Sequence, residues 1–132
     1  MRNAEFGIKE DFIMDYNSNV IVVKSKAFAI RIVELYKRLR FDKKEYVISQ
    51  QVLKSETSIG ANVHEAIRGQ SRADFAAKMN ISLKEASETE YWLELLRDTN
   101  YLKPEEAESI LNDCVELIKI LVSITKAFKI NN

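Results

Sequence analysis

One stretch in the middle of the chain decides the fold: Ser55-Glu56-Thr57-Ser58-Ile59-Gly60-Ala61-Asn62-Val63-His64-Glu65-Ala66. Its apolar residues recur every three or four positions, which places them on one face of a helix. Beside that face runs a polar line of Ser58, Asn62 and Glu65. Small side chains let another helix approach closely, and polar groups next to an apolar stripe need hydrogen-bond partners once they are buried. We therefore expect the closest helix contact of a bundle here, with the polar line hydrogen-bonded to the third helix.

The composition is that of one globular, helical domain. A chain of 132 residues suffices for one core, and 46% hydrophobic with 30% charged residues is not typical of a disordered chain. Three glycines and one proline leave few helix breakers, so long helices are expected. The apolar runs are far too short to span a membrane, and the acidic N-terminal segment is unlike a signal peptide. With its single Cys114, the chain is predicted to be a cytoplasmic protein without membrane association.

Helical periodicity divides the chain into an arm and a bundle. Residues 1–17 are predicted to form an N-terminal arm that docks in part on the bundle, and residues 18–132 the bundle domain. The first helix runs from about Asn19 to Arg40, because its apolar residues recur at steps of four and three. After it, Asp42 resembles a cap with Glu45 three residues later, and Phe41 and Tyr46 occupy the positions of a hydrophobic staple. These signals predict that a second helix begins near Asp42.

The remaining helices have clear start signals. The second helix is expected to end near Gly69, and Ser71 followed by Asp74 predicts the cap of a third helix that reaches about Thr99. Pro104 with two glutamates behind it is typical of the first turn of a fourth helix. Short connections make consecutive helices antiparallel neighbours. The fold class is therefore predicted to be all-α, an up-down-up-down antiparallel four-helix bundle.

The net charge is zero, but the charges are unevenly distributed. Residues 24–44 hold eight basic and two acidic residues, whereas residues 85–116 hold ten acidic and two basic ones. One interpretation is that the basic first helix pairs with the acidic helices. The other is that the basic segment binds the phosphates of RNA or DNA. The candidate nucleic-acid-binding residues are Lys24, Arg31, Lys37, Arg38, Arg40, Lys43 and Lys44.

The sequence gives no pattern for catalysis, a cofactor or a metal. His64-Glu65 resembles the start of a zinc-protease motif, but Arg68 stands where the second histidine would be, and the chain has no other histidine. Acidic residues beside Cys114 would raise the pKa of its thiol rather than activate it. Glycines are isolated, so no phosphate-binding loop is present. We therefore expect no enzyme activity, no cofactor and no metal site.

Two motifs carry a resemblance to a known family. They are Ser-Ile-x-x-Asn-x-x-Glu at residues 58–65 and Leu-Lys-Glu-Ala-x-Glu-Thr-x-Tyr-Trp-Leu at residues 83–93, supported by residues 50–53 and 71–75. Together they resemble the bacterial four helix bundle protein family, which includes proteins encoded in intervening sequences of large-subunit ribosomal RNA genes. The accessory protein of diversity-generating retroelements is a relative. The resemblance covers roughly residues 20–128, and Ala66 departs from it where many members have Gly.

The resemblance implies a bundle that assembles as a ring-like homopentamer without catalytic activity. It also implies a role in nucleic-acid binding. The fourth helix is apolar on more than one face, which independently indicates a second buried surface. Two functions follow as alternatives: an oligomer that binds nucleic acid or a nucleic-acid enzyme through its basic first helix, or a protein-protein scaffold with no nucleic-acid role.

Overall fold

The computed structural model describes the backbone of residues 4–69 and 71–130, and the side chains of residues 17–69 and 71–128. Four α-helices follow one another: α1 spans Ala4–Lys37, α2 Ile48–Ile67, α3 Arg72–Asp98 and α4 Pro104–Ile130. Each helix packs against the next one, and α1 also packs against α4, which closes the bundle. The described residues form no strand, so the predicted all-α, up-down-up-down antiparallel four-helix bundle is confirmed.

The core is formed by one apolar stripe from each helix. In α1 the stripe predicted from spacing is buried, from Phe28 through Ile32 and Leu35 to Leu39 in the turn that follows the helix. The stripes of the other three helices face it, for example Ile59 from α2, Leu93 from α3 and Leu121 from α4, each of them fully buried. Complete burial of one such side chain stabilises the fold by about 1.5–3 kcal/mol relative to exposure. Any binding surface must therefore lie on the outward faces or at the helix ends.

α1 is longer than predicted, because it begins at Ala4 rather than near Asn19. Its backbone continues without a break through most of the segment predicted to be an arm. Asn17 lies within the helix, and its amide donates a hydrogen bond of 3.2 Å to the Ser123 hydroxyl on α4. A polar side chain at this position connects two helices instead of ending one. The predicted arm covers residues 1–17, and apart from Asn17 its side chains lie outside the described residues, so its docking stays a prediction.

The start of α2 differs from the prediction. Asp42 is the last residue of a single π-helical turn, Arg38–Asp42, which widens the end of α1, and α2 begins only at Ile48. The cap is provided by Glu45, whose carboxylate accepts hydrogen bonds from the backbone N–H groups of residues 47, 48 and 49 at 2.7–3.0 Å. A helix start leaves its first N–H groups without partners inside the helix, and this buried carboxylate satisfies three of them. Phe41 and Tyr46 are both exposed, so the predicted staple is wrong.

The other two helix starts are as predicted. The Ser71 hydroxyl accepts a hydrogen bond of 3.0 Å from the backbone N–H of Asp74, which caps α3. Pro104 is the first residue of α4, where its missing N–H costs nothing. Between α3 and α4, Asn100 adopts a left-handed backbone with a φ of 67°, a conformation that Asn tolerates better than most residues. The chain therefore reverses direction here within a few residues.

Three buried polar contacts connect α2, α3 and α4. The hydroxyls of Ser55 and Thr89 lie 2.8 Å apart. The Ser82 hydroxyl donates to the backbone carbonyl of Ile59 at 3.2 Å, and the Cys114 thiol donates to the carbonyl of Ala86 at 3.4 Å. Each contact crosses from one helix to the next within the core, where unpaired polar groups are costly. The small residues of the central stretch thus bring α2 and α3 close together, as the sequence predicted.

Candidate nucleic-acid interface

Three of the seven candidate residues reach carboxylates of α4 while their side chains stay partly exposed. Arg31 donates to the carboxylate of Asp113 at 2.7 Å, and Lys24 forms an ion pair with Glu116. Arg38 donates from both terminal nitrogens to the two carboxylate oxygens of Glu106. These basic residues are seven positions apart along α1 and into the π-helical turn that follows it, and their acidic partners recur at steps of three and seven along α4. The basic line of α1 and an acidic line of α4 therefore run alongside each other across the α1–α4 contact.

Pairing changes what this line can bind. An ion pair at a protein surface contributes only about 0–1 kcal/mol to stability, so α1 and α4 gain little from each pair. Each carboxylate nevertheless neutralises the positive charge that a phosphate would otherwise meet. To bind Lys24, Arg31 and Arg38, the phosphates of a nucleic acid would have to compete with three carboxylates and displace them. Of the two interpretations of the basic segment, pairing with an acidic helix therefore applies to these three residues.

The other candidates are close to the turn that joins α1 and α2, which we define as residues 38–47 and call the α1–α2 turn. Lys37 precedes it and pairs with Glu34 on the same helix at 3.6 Å. Lys43 and Lys44 are exposed and form no ion pair with the part of the chain that the structure describes. The backbone fixes their position, because the Lys43 N–H donates to the carbonyl of Arg38 at 3.1 Å. Lys44 itself has a φ of 58°, which turns the chain sharply towards α2.

Exposed aromatic rings accompany these lysines. Phe41 is 62% exposed and Tyr46 is 51% exposed. The Arg40 guanidinium lies over the Tyr46 ring, with its central carbon 5.3 Å from the ring centroid. The α1–α2 turn therefore combines cationic groups with flat apolar rings, which is the pairing that single-stranded nucleic acids bind through phosphates and bases.

Sequence reasoning missed the aromatic part of this surface. Phe41 and Tyr46 were interpreted as a staple that packs at a helix start, which would have buried both rings. The sequence did contain a signal for exposure, because all four residues between Phe41 and Tyr46 are charged. The wide π-helical turn moves the start of α2 to Ile48 and leaves both rings outside the core.

The polar line of α2 makes two separate contacts. The Asn62 amide donates to the carbonyl and the hydroxyl of Ser58, at 2.8 Å and 3.2 Å, within α2 itself. Glu65 reaches α3 through an ion pair of 3.2 Å with Lys78. Its side chain is 57% exposed, so this pair is at the surface. The structure thus brings Glu65 to α3 and leaves Ser58 and Asn62 paired with each other.

A different acidic residue of α2 is buried, and one of its carboxyl oxygens has no hydrogen-bond partner among the described residues. This residue is Glu56, which is 1% exposed, and the oxygen is its Oε1 atom. Burial disfavours the charged carboxylate and raises the pKa of Glu56 to about 8. Sequence reasoning placed no role on Glu56, since the depth of its burial depends on how α1 covers α2.

The buried thiol is unsuited to catalysis. Burial, together with the nearby carboxylates of Glu90 and Asp113, raises the pKa of Cys114 to about 12, so the reactive thiolate is suppressed. Within residues 4–69 and 71–130, no cluster of three or more His, Cys, Asp or Glu side chains could hold a metal ion. None of the helices in that same part of the chain has the length and apolar character that crossing a membrane requires.

Comparison with known proteins agrees with this architecture. The family described as 23S rRNA-intervening sequence protein matches residues 17–123. A solved crystal structure from Bacteroides thetaiotaomicron, described as a protein of unknown function from the S23 ribosomal protein family, has a TM-score of 0.81 and 58% sequence identity. That similarity covers 83% of this chain and 98% of the other one. The comparison with curated proteins finds no match. The chain therefore belongs to the 23S rRNA-intervening sequence protein family.

Proposed function

We propose that this protein is a non-catalytic oligomer that binds single-stranded nucleic acid through the α1–α2 turn. The observation that carries the proposal is the exposure of Phe41 and Tyr46 beside Lys43 and Lys44 at one end of the bundle. Phosphates would contact the lysines, while unstacked bases would pack on the rings. The Arg40 guanidinium lies over the Tyr46 ring and adds a further positive charge.

The proposal assigns phosphate binding to fewer residues than the seven basic candidates. Lys43 and Lys44 form no ion pair with a described carboxylate, whereas Lys24, Arg31 and Arg38 are already paired with carboxylates of α4. One turn would bind weakly, because two or three phosphate contacts contribute little at physiological salt. An oligomer that presents several turns to one strand would gain affinity through multivalency. The pentamer implied by the family resemblance would supply such an arrangement.

The test is fluorescence anisotropy with a labelled single-stranded RNA, a single-stranded DNA of the same sequence and a DNA duplex. The family description mentions 23S rRNA, so RNA is the first ligand to test. Binding to the single strands should weaken steeply from low to physiological salt, because phosphate contacts release counterions. The duplex should bind more weakly, since its bases are stacked internally and cannot pack on Phe41 and Tyr46.

Two variants with equal charge loss separate the turn from the rest of α1. Lys43→Gln with Lys44→Gln should reduce the slope of log affinity against log salt by about 1.4 for each turn that contacts the strand, since each phosphate contact on a single strand contributes about 0.7. The matched control, Lys24→Gln with Arg31→Gln, removes two charges that are already paired and should change the slope far less. Phe41→Ser should weaken single-strand binding roughly fivefold or more at constant salt, because stacking contributes about 1–3 kcal/mol per base.

A protein-protein scaffold is the second candidate. It is favoured by the net charge of zero and by the exposed apolar residues on the α1–α2 side of the bundle, among them Val22, Val33 and Ile67. Absence of anisotropy change with all three nucleic acids at low salt would contradict the nucleic-acid proposal and leave the scaffold. Self-association is common to both candidates, and light scattering checks it against the single-chain mass of 15.3 kDa.

A further inference from the structure

A long groove lies between α1 and α2 on the outer side of the bundle. It encloses about 640 Å³. Its lining residues recur at steps of four, three and four on both helices, so the groove follows the helix axes over about three turns. We call it the α1–α2 groove and define it by Val22, Ala29, Val33, Glu56, Gly60 and Ile67.

The walls of the groove are apolar and uncovered. Val22 and Val33 on α1 and Ile67 on α2 are large apolar side chains that remain exposed in the single chain. Two parallel stripes with this spacing are the usual seat for a third helix, which inserts apolar residues from positions i, i+3, i+4 and i+7. The shape and spacing of the groove therefore favour a helix as its occupant.

The floor of the groove has an unpaired acid and an open space. Glu56 lines the floor with a buried Oε1 atom that lacks a hydrogen-bond partner among the described residues. Gly60 lies one turn further along. A Cβ atom added there would have no atom within 4 Å outside the neighbouring residues of α2. A basic side chain that enters the groove from outside would compensate this carboxyl once the Glu56 side chain turns towards the open space at Gly60. The occupant should therefore carry a Lys or Arg near its centre.

The rim of the groove adds a further condition. Lys26 on α1, and His64 and Arg68 on α2, lie along its edges. Two of these three are cationic at neutral pH, so an occupant with acidic residues beside its apolar stripe would be attracted to the rim. The complete description is an amphipathic helix with apolar ends, a central base and neighbouring acids.

The outer face of α3 fits that description. Ile81, Lys84, Glu88 and Tyr91 are exposed and follow one another at steps of three, four and three. Ile81 and Tyr91 are apolar or aromatic ends, Lys84 is the central base and Glu88 is a neighbouring acid. The four residues extend over nearly three helical turns, which equals the length of the groove. The chain thus offers both a groove and a face that complements it, at different places on its surface.

We propose that the α1–α2 groove receives the outer face of α3 from a second copy of this chain, with Lys84 of that copy paired to Glu56. The proposal rests on the self-association included in the proposed function and assigns its contact surfaces. Because the groove and the face are different surfaces, the association is head-to-tail, and each copy can bind one neighbour on either side. Such a contact forms a closed ring when the rotation between copies allows it.

The first test uses one substitution on each surface. Gly60→Leu places a branched side chain in the groove at a position where an added Cβ atom meets no atom within 4 Å outside the nearby stretch of α2, and a leucine favours the helix more than a glycine does. Lys84→Glu brings a second carboxylate towards Glu56. Each variant should elute at the mass of the single chain, 15.3 kDa, at concentrations where the natural sequence is assembled. The matched control Ala61→Leu, on the neighbouring exposed position, should assemble normally.

The second test mixes the two variants. The Gly60→Leu chain keeps an intact α3 face, and the Lys84→Glu chain keeps an intact groove. Mixed in equal amounts, they should form a complex of two chains and nothing larger, because one contact is restored and no second one is available. Circular dichroism should show that each variant retains the helix content of the natural sequence.

The outcomes separate this inference from the proposed function. If the natural sequence is a single chain at micromolar concentration, the self-association in the proposed function fails and this inference fails with it. If the natural sequence assembles and Gly60→Leu assembles equally well, self-association stands and the groove is not its contact surface. If both variants are single chains and their mixture gives no two-chain complex, the pairing of the groove with α3 is refuted.

Discussion

Glu45 offers a sharp test of how the second helix begins. Its buried carboxylate accepts three backbone hydrogen bonds, from the N–H groups of residues 47, 48 and 49 at 3.0, 2.7 and 2.7 Å. A hydrogen bond to a charged group contributes about 1.5–3 kcal/mol, and loss of a helix cap costs about 1 kcal/mol on average. Because the three bonds share one carboxylate and water can replace part of them, we expect Glu45→Ala to lower the free energy of unfolding by about 2–4 kcal/mol.

The expected change is large enough for routine measurement. Domains of this kind have a free energy of unfolding of about 5–15 kcal/mol, and each kcal/mol shifts the melting temperature by about 3–6 °C. Glu45→Ala should therefore melt roughly 10 °C lower in thermal denaturation followed by circular dichroism. Glu45→Gln keeps one acceptor oxygen but loses the charge and the second acceptor, so about half of that loss is expected.

Asp42 supplies the matched control. The sequence pattern favours Asp42 as the cap, whereas the structure places it in the π-helical turn. Asp42→Ala should change the free energy of unfolding by no more than about 0.5 kcal/mol, as most surface substitutions do. If Asp42→Ala is the more destabilising of the two, or if Glu45→Ala loses less than about 1 kcal/mol, the capping role of Glu45 is refuted.

Three further predictions concern buried groups. Cys114, with its pKa raised to about 12, should react with a thiol reagent at pH 8 at least a hundredfold more slowly in the native protein than in denaturant, and equal rates would contradict its burial. In protein dilute enough to be a single chain, the pKa of Glu56 is about 8 in the folded state and 4.5 in the unfolded state, so between these values the folded state binds one more proton. The free energy of unfolding should therefore fall by roughly 3 kcal/mol as pH rises from 5 to 8. Glu56→Gln should remove this slope, and parallel pH profiles would refute it. For Ser55 and Thr89, a double-mutant cycle with Ala and Val should give a coupling free energy of about 0.5–1.5 kcal/mol, whereas additivity would show that their hydroxyls do not interact.

Signals that act over a few residues were predicted well from the sequence. Ser71 caps α3 and Pro104 opens α4, because each effect depends only on the neighbouring backbone. The cap of α2 was predicted at Asp42 instead of Glu45, because the extra width of the π-helical turn depends on how Leu39 packs in the core. The charge imbalance correctly indicated that α1 pairs with an acidic helix. Individual partners, such as Asp113 for Arg31, could not be predicted, because they depend on how far α1 is shifted along its axis relative to α4. The exposure of Phe41 and Tyr46 could not be predicted either, because it depends on the π-helical turn and on the start of α2 at Ile48.

The three polar contacts in the core also restrict how the helices can slide. Apolar side chains would pack nearly as well if α3 moved along α2 by one helical turn, about 5.4 Å. Such a shift would separate the Ser55 hydroxyl from Thr89 and the Ser82 hydroxyl from the Ile59 carbonyl, and each stranded polar group costs about 1–3 kcal/mol. The Cys114 thiol applies the same restriction between α4 and α3. These hydroxyl and thiol groups add little to total stability. They nevertheless select one position of each helix along its neighbour, out of several that apolar side chains alone would allow.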